Sequence, residues 1–403
     1  MGILGILNGF GFGLGLWCQS TLITGVQFLS LFIWPVSRRL YYKFQAHIMR
    51  QWANNLFLMM RLFAPGDLII TLDKSCTREG SGLDEEDEDE EERLERLLTR
   101  NKQGEVIGIS FPEKLIMMAN HQILVDWIYI WFLAYLSKAH GSLKIMLKHS
   151  LSLIPIYGTD TFLYLLFRGM KFFEFIFLKR KLESDKDTVI TNLERARKRN
   201  RPMWLMLFPE GTVISDDTRA RSKAYAQKFN MEDYKFTLLP RTTGLLLCKD
   251  TLGDSVEWLY DLTIGYPGIP IGENPEDVLT MKHIFCDRKG PHKIHIHIRR
   301  YRIDSLPSDP ERFTPWLFER WAEKDRRLVY YNETGKFPEE PVIEDEDELL
   351  YRRDRTVKVP LKLRHTIREC FGYWLYFIFY LPLVLVLVIL IKTAYEYAYQ
   401  LFV

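Results

Sequence analysis

Apolar and polar positions alternate along the chain in two distinguishable patterns. Short apolar runs closed by turn formers predict strands, and longer apolar-faced runs predict helices. Strands are predicted over residues Lys114–Ala119, 203–208, 237–239, 257–264 and 293–299. Helices are predicted over residues 123–137, 185–198 and 222–230. Ser184 before Asp185 and Asp187 marks a helix start, and the basic residues at 195–199 mark its end. The alternation from residue 113 onward predicts an α/β fold with a largely parallel sheet flanked by helices. No repeat of solenoid period is visible.

The two ends are more apolar than the middle. Residues 371–391 are uncharged and rich in Leu, Val, Ile, Phe and Tyr, the length of a transmembrane helix. Residues 16–34 are also long enough to span, although Gln19 and Gln27 weaken the signal. The start lacks the basic residues and small-residue cleavage site of a signal peptide. Gly2 invites a lipid anchor, but Ile6 stands where Ser or Thr is required. Residues 56–63 are apolar, interrupted by Arg61, and read as the interfacial leg of a helical hairpin. Arg38, Arg39 and Lys43 follow the first apolar stretch. Arg352, Arg353, Arg355, Lys358, Lys362, Arg364 and Arg368 precede the last one, and only Lys392 follows it closely. The positive-inside bias places the intervening chain in the cytosol.

These boundaries divide the chain into a membrane anchor with interfacial helices (1–66), an acidic solvated insertion (76–105), a main domain (106–340), a charged juxtamembrane linker (341–370) and a transmembrane helix (371–391). The insertion is placed by an unbroken acidic run, residues 84–92, which repels itself and does not pack. With 403 residues the chain can bury a sizeable core. The net charge of +2 says little about partners, and no nucleic acid is expected. The aromatic content of 14% concentrates in the apolar segments, as in membrane-associated proteins. Five scattered cysteines read as reduced thiols facing the cytosol, without metal-ligand spacing.

Candidate chemistry gathers at two strand ends. Met118-Ala119-Asn120-His121-Gln122 passes from a strand toward a helix, with Asp126 five positions after His121. On one continuous helix that spacing puts the two on different faces. They meet only if His121 lies just before the helix and Asp126 reaches back. A carboxylate there fixes the imidazole tautomer and leaves the other nitrogen to take a proton from a hydroxyl. The second site is Phe208-Pro209-Glu210-Gly211-Thr212, where turn formers present a carboxylate at a strand end. Arg180 closes an apolar run in the triplet Lys179-Arg180-Lys181, and a guanidinium fork suits phosphate. His295 and His297 share one strand face and, with no third ligand near, read as half-buried strand histidines rather than a metal pair. No metal is expected.

These blocks together resemble the acyl-CoA-dependent glycerophospholipid acyltransferases, the family of 1-acylglycerol-3-phosphate acyltransferase. The blocks are Asn120-His121-(four residues)-Asp126, then Phe175 to Arg180, then Phe208 to Thr212, then Leu238-Leu239-Pro240-Arg241-Thr242. The Asn-His-Gln and Val125-Asp126-Trp127 forms are similar to the eukaryotic branch with lysophosphatidylinositol and lysocardiolipin acyltransferases. So is the stretch from Glu323-Lys324-Asp325 to Gly335-Lys336-Phe337-Pro338. One departure is Val213, where many members carry Arg. Phosphate contacts then rest on Arg180, Lys179, and Arg219 or Arg221.

The resemblance implies transfer of a fatty acyl chain from acyl-CoA, a co-substrate, to a hydroxyl of a lysophospholipid of the lysophosphatidic acid or lysophosphatidylinositol type. His121 acts as base and Asp126 orients it. Backbone N–H groups after His121 are candidate oxyanion donors. Glu210, Gly211, Thr212 and Asn120 join Arg180 and Lys179 in holding substrate. No bound cofactor and no acyl-enzyme are required. Residues 154–178, apolar but broken by Pro155, Gly158 and Asp160, read as a fatty-chain channel, a membrane-resting segment or ordinary core. The expected place is the endoplasmic reticulum membrane, with the domain facing the cytosol. A thioesterase using the same base, or a non-catalytic membrane scaffold, are the competing classes.

Overall fold

The computed structural model describes residues 2–76, 90–148, 169–179, 182–338 and 356–370, with isolated positions up to 393. Two N-terminal helices, α1 (Ile3–Leu29) and α2 (Arg38–Phe63), lead into strand β1 (Asp67–Leu72). Helix α3 (Glu90–Leu97) and a hairpin of β2 (Leu98–Arg100) and β3 (Val106–Ile109) follow. The main domain continues with β4 (Lys114–Ala119), α4 (Asp126–Leu136), β5 (Leu143–Lys148), β6 (Ile176–Leu178), α5 (Leu182–Arg199) and β7 (Met203–Leu207). It ends with α6 (Asp216–Lys228), α7 (Thr242–Leu252), β8 (Trp258–Gly265), β9 (Lys293–Arg302), α8 (Pro310–Thr334) and β10 (Thr356–Pro360).

Eight strands form one sheet in the order β10-β1-β9-β8-β4-β7-β5-β6. The run from β8 to β6 is parallel throughout, and β9 enters antiparallel to β8. The central strand β4 is covered on both faces, which is why its sequence is continuously apolar rather than alternating. Its side chains still divide by the pleat. Leu115, Met117 and Ala119 join one core with α1, α2 and α4, while Ile116 and Met118 join another with α5, α7 and α8. The molecule is therefore a helix–sheet–helix sandwich, as the alternation of elements predicts.

Helix α8 carries the clearest stripe. Phe313, Leu317, Trp321, Lys324, Leu328 and Tyr331 are buried and spaced by three and four, with Asp325 buried beside them. Asp309 caps its start, Pro310 opens it, and Gly335 closes it with φ 75°. Lys324 is fully buried and is neutralised by Asp261 on β8, so the helix is pinned to the sheet by an ion pair as well as by packing.

Several expectations are redrawn. Residues 237–239 are not a strand: the backbone N–H groups of Lys235, Phe236 and Thr237 all donate to the Asp325 carboxylate, so no neighbouring strand receives them. The helix expected over 222–230 begins earlier, at Asp216, where Ser215 and Thr218 form a capping box. Residues 56–63 are not an interfacial leg but the end of α2, and Leu56, Phe57 and Met60 are buried in the core. Phe57 meets Phe132 edge-on at 5.2 Å, and Trp52 lies 5.0 Å from Trp131. Gln19 and Gln27, which weaken α1 as a span, tie it instead: Gln19 donates to the Trp52 carbonyl and Gln27 to that of Gly169. The juxtamembrane stretch contains β10, which pairs with β1.

The helical stretch Ile3–Ile33 is long and apolar enough to cross a membrane. The acidic run up to residue 89, Arg180 with Lys181, residues 149–168 and most of the C-terminal apolar segment 371–391 lie outside the described residues. From Glu90 the acidic stretch continues into α3, and Leu98, Val106 and Ile109 of the hairpin join the core.

Candidate active site

The parallel register puts the ends of β4, β7 and β8 at one edge of the sheet. Met118 pairs with Leu207, and Ala119 with Leu262. Asn120 and Phe208 therefore leave neighbouring strands together. Asn120 is fully buried, and both ends of its amide engage the Ile264 backbone, at 3.0 and 2.8 Å. Its side chain locks the exit of β4 to β8 rather than facing the cleft.

That lock sets His121 ahead of α4, and Asp126, the first residue of α4, reaches back to it. Asp126 Oδ2 lies 2.9 Å from His121 Nδ1 and also accepts from the backbone N–H groups of Gln122 (2.6 Å) and Ile123 (3.0 Å). Asp126 Oδ1 accepts from the Tyr266 hydroxyl. A fully buried carboxyl with four donors is fixed in place. It can only accept from the imidazole, so Nδ1 holds the proton and Nε2 is the free base. The ring stacks on Phe208 at 4.1 Å between centroids, with its side chain 16% exposed. This geometry suits abstraction of a proton from a hydroxyl presented at the open end of the sheet.

The same contacts correct one expectation. The N–H groups of Gln122 and Ile123 are held by Asp126, and that of Leu124 donates to Glu276 at 2.6 Å. They brace the turn and do not point outward as oxyanion donors.

The second block forms a tight turn against the first. Gly211 has φ 74°, a conformation that strains any residue with a side chain, and its N–H donates to the Phe208 carbonyl. Glu210 is turned inward and is 3% exposed, with Oε1 accepting from Trp321 Nε1 at 3.2 Å and no hydrogen-bond partner on Oε2. Burial pushes its carboxyl up to about 8, against the opposing pull of the Trp321 N–H, the His121 and Leu238 backbone N–H groups and the Lys324 charge. Burial thus favours the neutral acid at this position. Gly211 and Thr212 remain partly exposed beside it.

The cations sort themselves by what they already hold. Arg219 donates to the Asn274 side chain and the Lys235 carbonyl, and Arg221 pairs with Asp217 on the exposed α6 surface. Lys179 follows β6 at the same edge as His121, its backbone N–H bound to Asp185. Three strand spacings separate β6 from β4, about 14 Å. Arg241 is the cation that the sequence did not single out. It follows Pro240, donates its backbone N–H to the Pro209 carbonyl at 2.8 Å, and lays its guanidinium beside Gly211. Its exposed side chain has no ionic or hydrogen-bonded partner among the described residues.

Tyr266, Trp321 and Asp325 were also missed. Tyr266 stands one residue past a strand, as Asn120 and Phe208 do, and that shared position was the available signal. Trp321 and Asp325 act across about 90 to 110 residues of sequence, on Glu210 and on the 235–237 turn. Gln122 secures the same turn by donating to the Phe236 carbonyl. His295 and His297 are buried beside Tyr331 and Phe337, and their pKa values are lowered by burial.

Comparison with known proteins gives consistent matches. Residues 105–247 match the acyltransferase family, and residues 286–359 match the acyltransferase C-terminus. The chain is 33% identical over 304 residues to an uncharacterized acyltransferase of Schizosaccharomyces pombe, covering 75% of this chain and 79% of that protein. It is 36% identical over 260 residues to the 2-acyl-1-lysophosphatidylinositol acyltransferase of Saccharomyces cerevisiae, covering 56% of this chain and 63% of that protein. It is 33% identical over 225 residues to lysocardiolipin acyltransferase 1 of Danio rerio, covering 55% of this chain and 53% of that protein. The chain thus spans less than two thirds of the last two.

Proposed function

The chain belongs to the acyltransferase family, and on that premise we propose that it transfers a fatty acyl chain from acyl-CoA to a hydroxyl of an anionic lysophospholipid. The observation that carries the reading is His121 held at 2.9 Å by the buried Asp126, at the strand end beside the Pro209–Gly211 turn. His121 Nε2 takes the hydroxyl proton as the oxygen attacks the thioester carbonyl. The resulting imidazolium is balanced by Asp126. Collapse of the tetrahedral intermediate breaks the carbon–sulfur bond, and the departing CoA sulfur takes that proton from His121. A base of this kind contributes about 10²- to 10⁴-fold. The thioester supplies the activation, so no metal, bound cofactor or acyl-enzyme enters the scheme.

The acceptor's phosphate is assigned to Arg241 with Lys179 and Arg180, and its glycerol to the exposed rim of Gly211 and Thr212. Glu210 anchors that turn to Trp321, and Asn120 fixes the neighbouring exit of β4 to β8. A neutral Glu210 suits an anionic acceptor, which a carboxylate would repel. Lysophosphatidylinositol, lysocardiolipin and lysophosphatidic acid are the candidate acceptors, since relatives named for each are similar to this chain. We propose the endoplasmic reticulum membrane as its location, with the domain on the cytosolic side where acyl-CoA is found; the apolar stretch Ile3–Ile33, the apolar sequence 371–391 and the basic residues flanking them support a membrane location and that orientation.

The test is acyl transfer in membranes containing the protein, with labelled oleoyl-CoA and lysophosphatidic acid, lysophosphatidylinositol, lysocardiolipin or no acceptor. Product with an anionic acceptor, lost in His121→Ala, is the expected result. Release of acyl-CoA label that needs His121 but no acceptor would turn the reading into a thioesterase.

A further inference from the structure

A second site lies at the opposite edge of the sheet. A cavity of about 1040 Å³ opens where α2 begins, against the first residues of β5 and β7 and the last turn of α5. The His121 site sits at the far ends of the same parallel strands. Strands of five or six residues put about 17–20 Å between the two. The cavity therefore does not belong to the reaction centre.

Its lining is cationic. Among the described residues, Arg38, Arg39, Lys43, Arg50, Arg199 and Arg201 line it together with Lys144, and Glu174 is its single carboxylate. Glu174 already bonds Lys144 at 2.7 Å and also Arg199 and Arg201. Even with Arg50 set aside, this one carboxylate cannot balance the six other cations among the described residues. Arg199 and Arg201 lie side by side over the Tyr42 ring, 4.0 and 4.1 Å from its centre, and Arg201 Nε is buried with no hydrogen-bond partner. Arg39 and Lys43 are exposed and have no ionic or hydrogen-bonded partner among the described residues. Like charges held this close, with an orphaned donor among them, form a receptor for a multiply charged anion.

The position of the mouth identifies the source of that anion. The chain just before α2 exposes Phe32 (72%) and Val36 (82%), with Leu31 and Trp34 beside them. Trp34 itself lines the cavity, with the Arg38 guanidinium 5.0 Å from its ring centre. An exposed apolar rim next to clustered arginines is the chemistry of a membrane surface bearing anionic headgroups. Guanidinium forks match phosphate oxygens in pairs. We propose that this cavity binds the phosphorylated headgroup of an anionic membrane lipid at a site distinct from the acceptor site.

The test uses the full-length protein in neutral detergent, reading the rise in melting temperature with soluble dioctanoyl phosphatidylinositol 4-phosphate. Dioctanoyl phosphatidylcholine, inorganic phosphate and adenosine 3′,5′-bisphosphate are the comparison ligands. The proposal expects saturable stabilisation by the phosphoinositide, weakened at least ten-fold in Arg39→Glu/Lys43→Glu. Both residues are exposed and unpaired, so the unliganded melting temperature of that variant should match wild type. His121→Ala and Arg241→Ala should retain the full shift, which separates this site from the proposed reaction. Equal stabilisation of wild type and the double variant would overturn the proposal. So would a shift with phosphatidylcholine of the same size. Tighter binding of the bisphosphate through Arg39 and Lys43 would assign the cavity to a soluble nucleotide instead.

Discussion

At the scale of single residues, the site depends on which groups remain unoccupied. Arg241 is exposed and unpaired beside Gly211, while Arg219 is occupied by Asn274 and Lys235. Losing one charge-assisted contact to phosphate is worth about 1.5–3 kcal/mol, or roughly ten- to a hundred-fold. Arg241→Ala should raise KM for the lysophospholipid by that factor, with kcat within a few-fold and the melting temperature unchanged. An unaltered KM would remove Arg241 from the acceptor site. Glu210 gives a pH signature. Its folded pKa of about 8 lies above the ordinary value of 4.5, so between the two the native state holds a proton that the unfolded chain releases. Its stabilising contribution is complete below pH 4.5 and is lost as pH rises through 8. Glu276, pushed up to about 7 by burial, acts in the same direction. The melting temperature should fall between pH 6 and 8. Glu210→Gln, which mimics the neutral acid, should fall less over that range, and identical slopes would show that Glu210 is ionised in the fold.

At the scale of elements, helix α2 behaves as core rather than as appendage. The apolar positions of α2 do not form a continuous hydrophobic run, because Arg50, Gln51, Asn54 and Asn55 interrupt them. What makes the helix internal is its aromatic face, set against α4. Phe57 is completely buried between Phe132 and Tyr135. Phe57→Ala should lower unfolding stability by about 3–5 kcal/mol. Phe32→Ala, at a position 72% exposed, should change it by less than about 0.5 kcal/mol. Chemical denaturation in detergent distinguishes the two. Equal effects would mean that α2 is held by the membrane and not by the domain.

At the scale of the molecule, the chain's ends and middle are interleaved. Strand β1 follows the N-terminal helices yet lies between β9 and β10, from much later in the sequence. What the sequence by itself determined is local. The continuous apolar runs of β4, β7 and β8 predict buried strands, the junction of strand and helix predicts where His121 stands, and the turn formers Pro209 and Gly211 predict where Glu210 stands. Even the reach of Asp126 back to His121 was legible, because five residues of chain contain it. The tertiary structure alone decided the rest. It chose Tyr266 as the second anchor of Asp126, Trp321 for Glu210 and Asp325 for the turn before Leu238. It also emptied the expected oxyanion donors into two carboxylates and gathered seven cations from α2, β5, α5 and the approach to β7 around one cavity. The physical reason is that periodicity encodes which face of an element is buried, whereas the identity of its partner is set by sheet order and register. Those are fixed only when segments a hundred or more residues apart compete for the same buried surface.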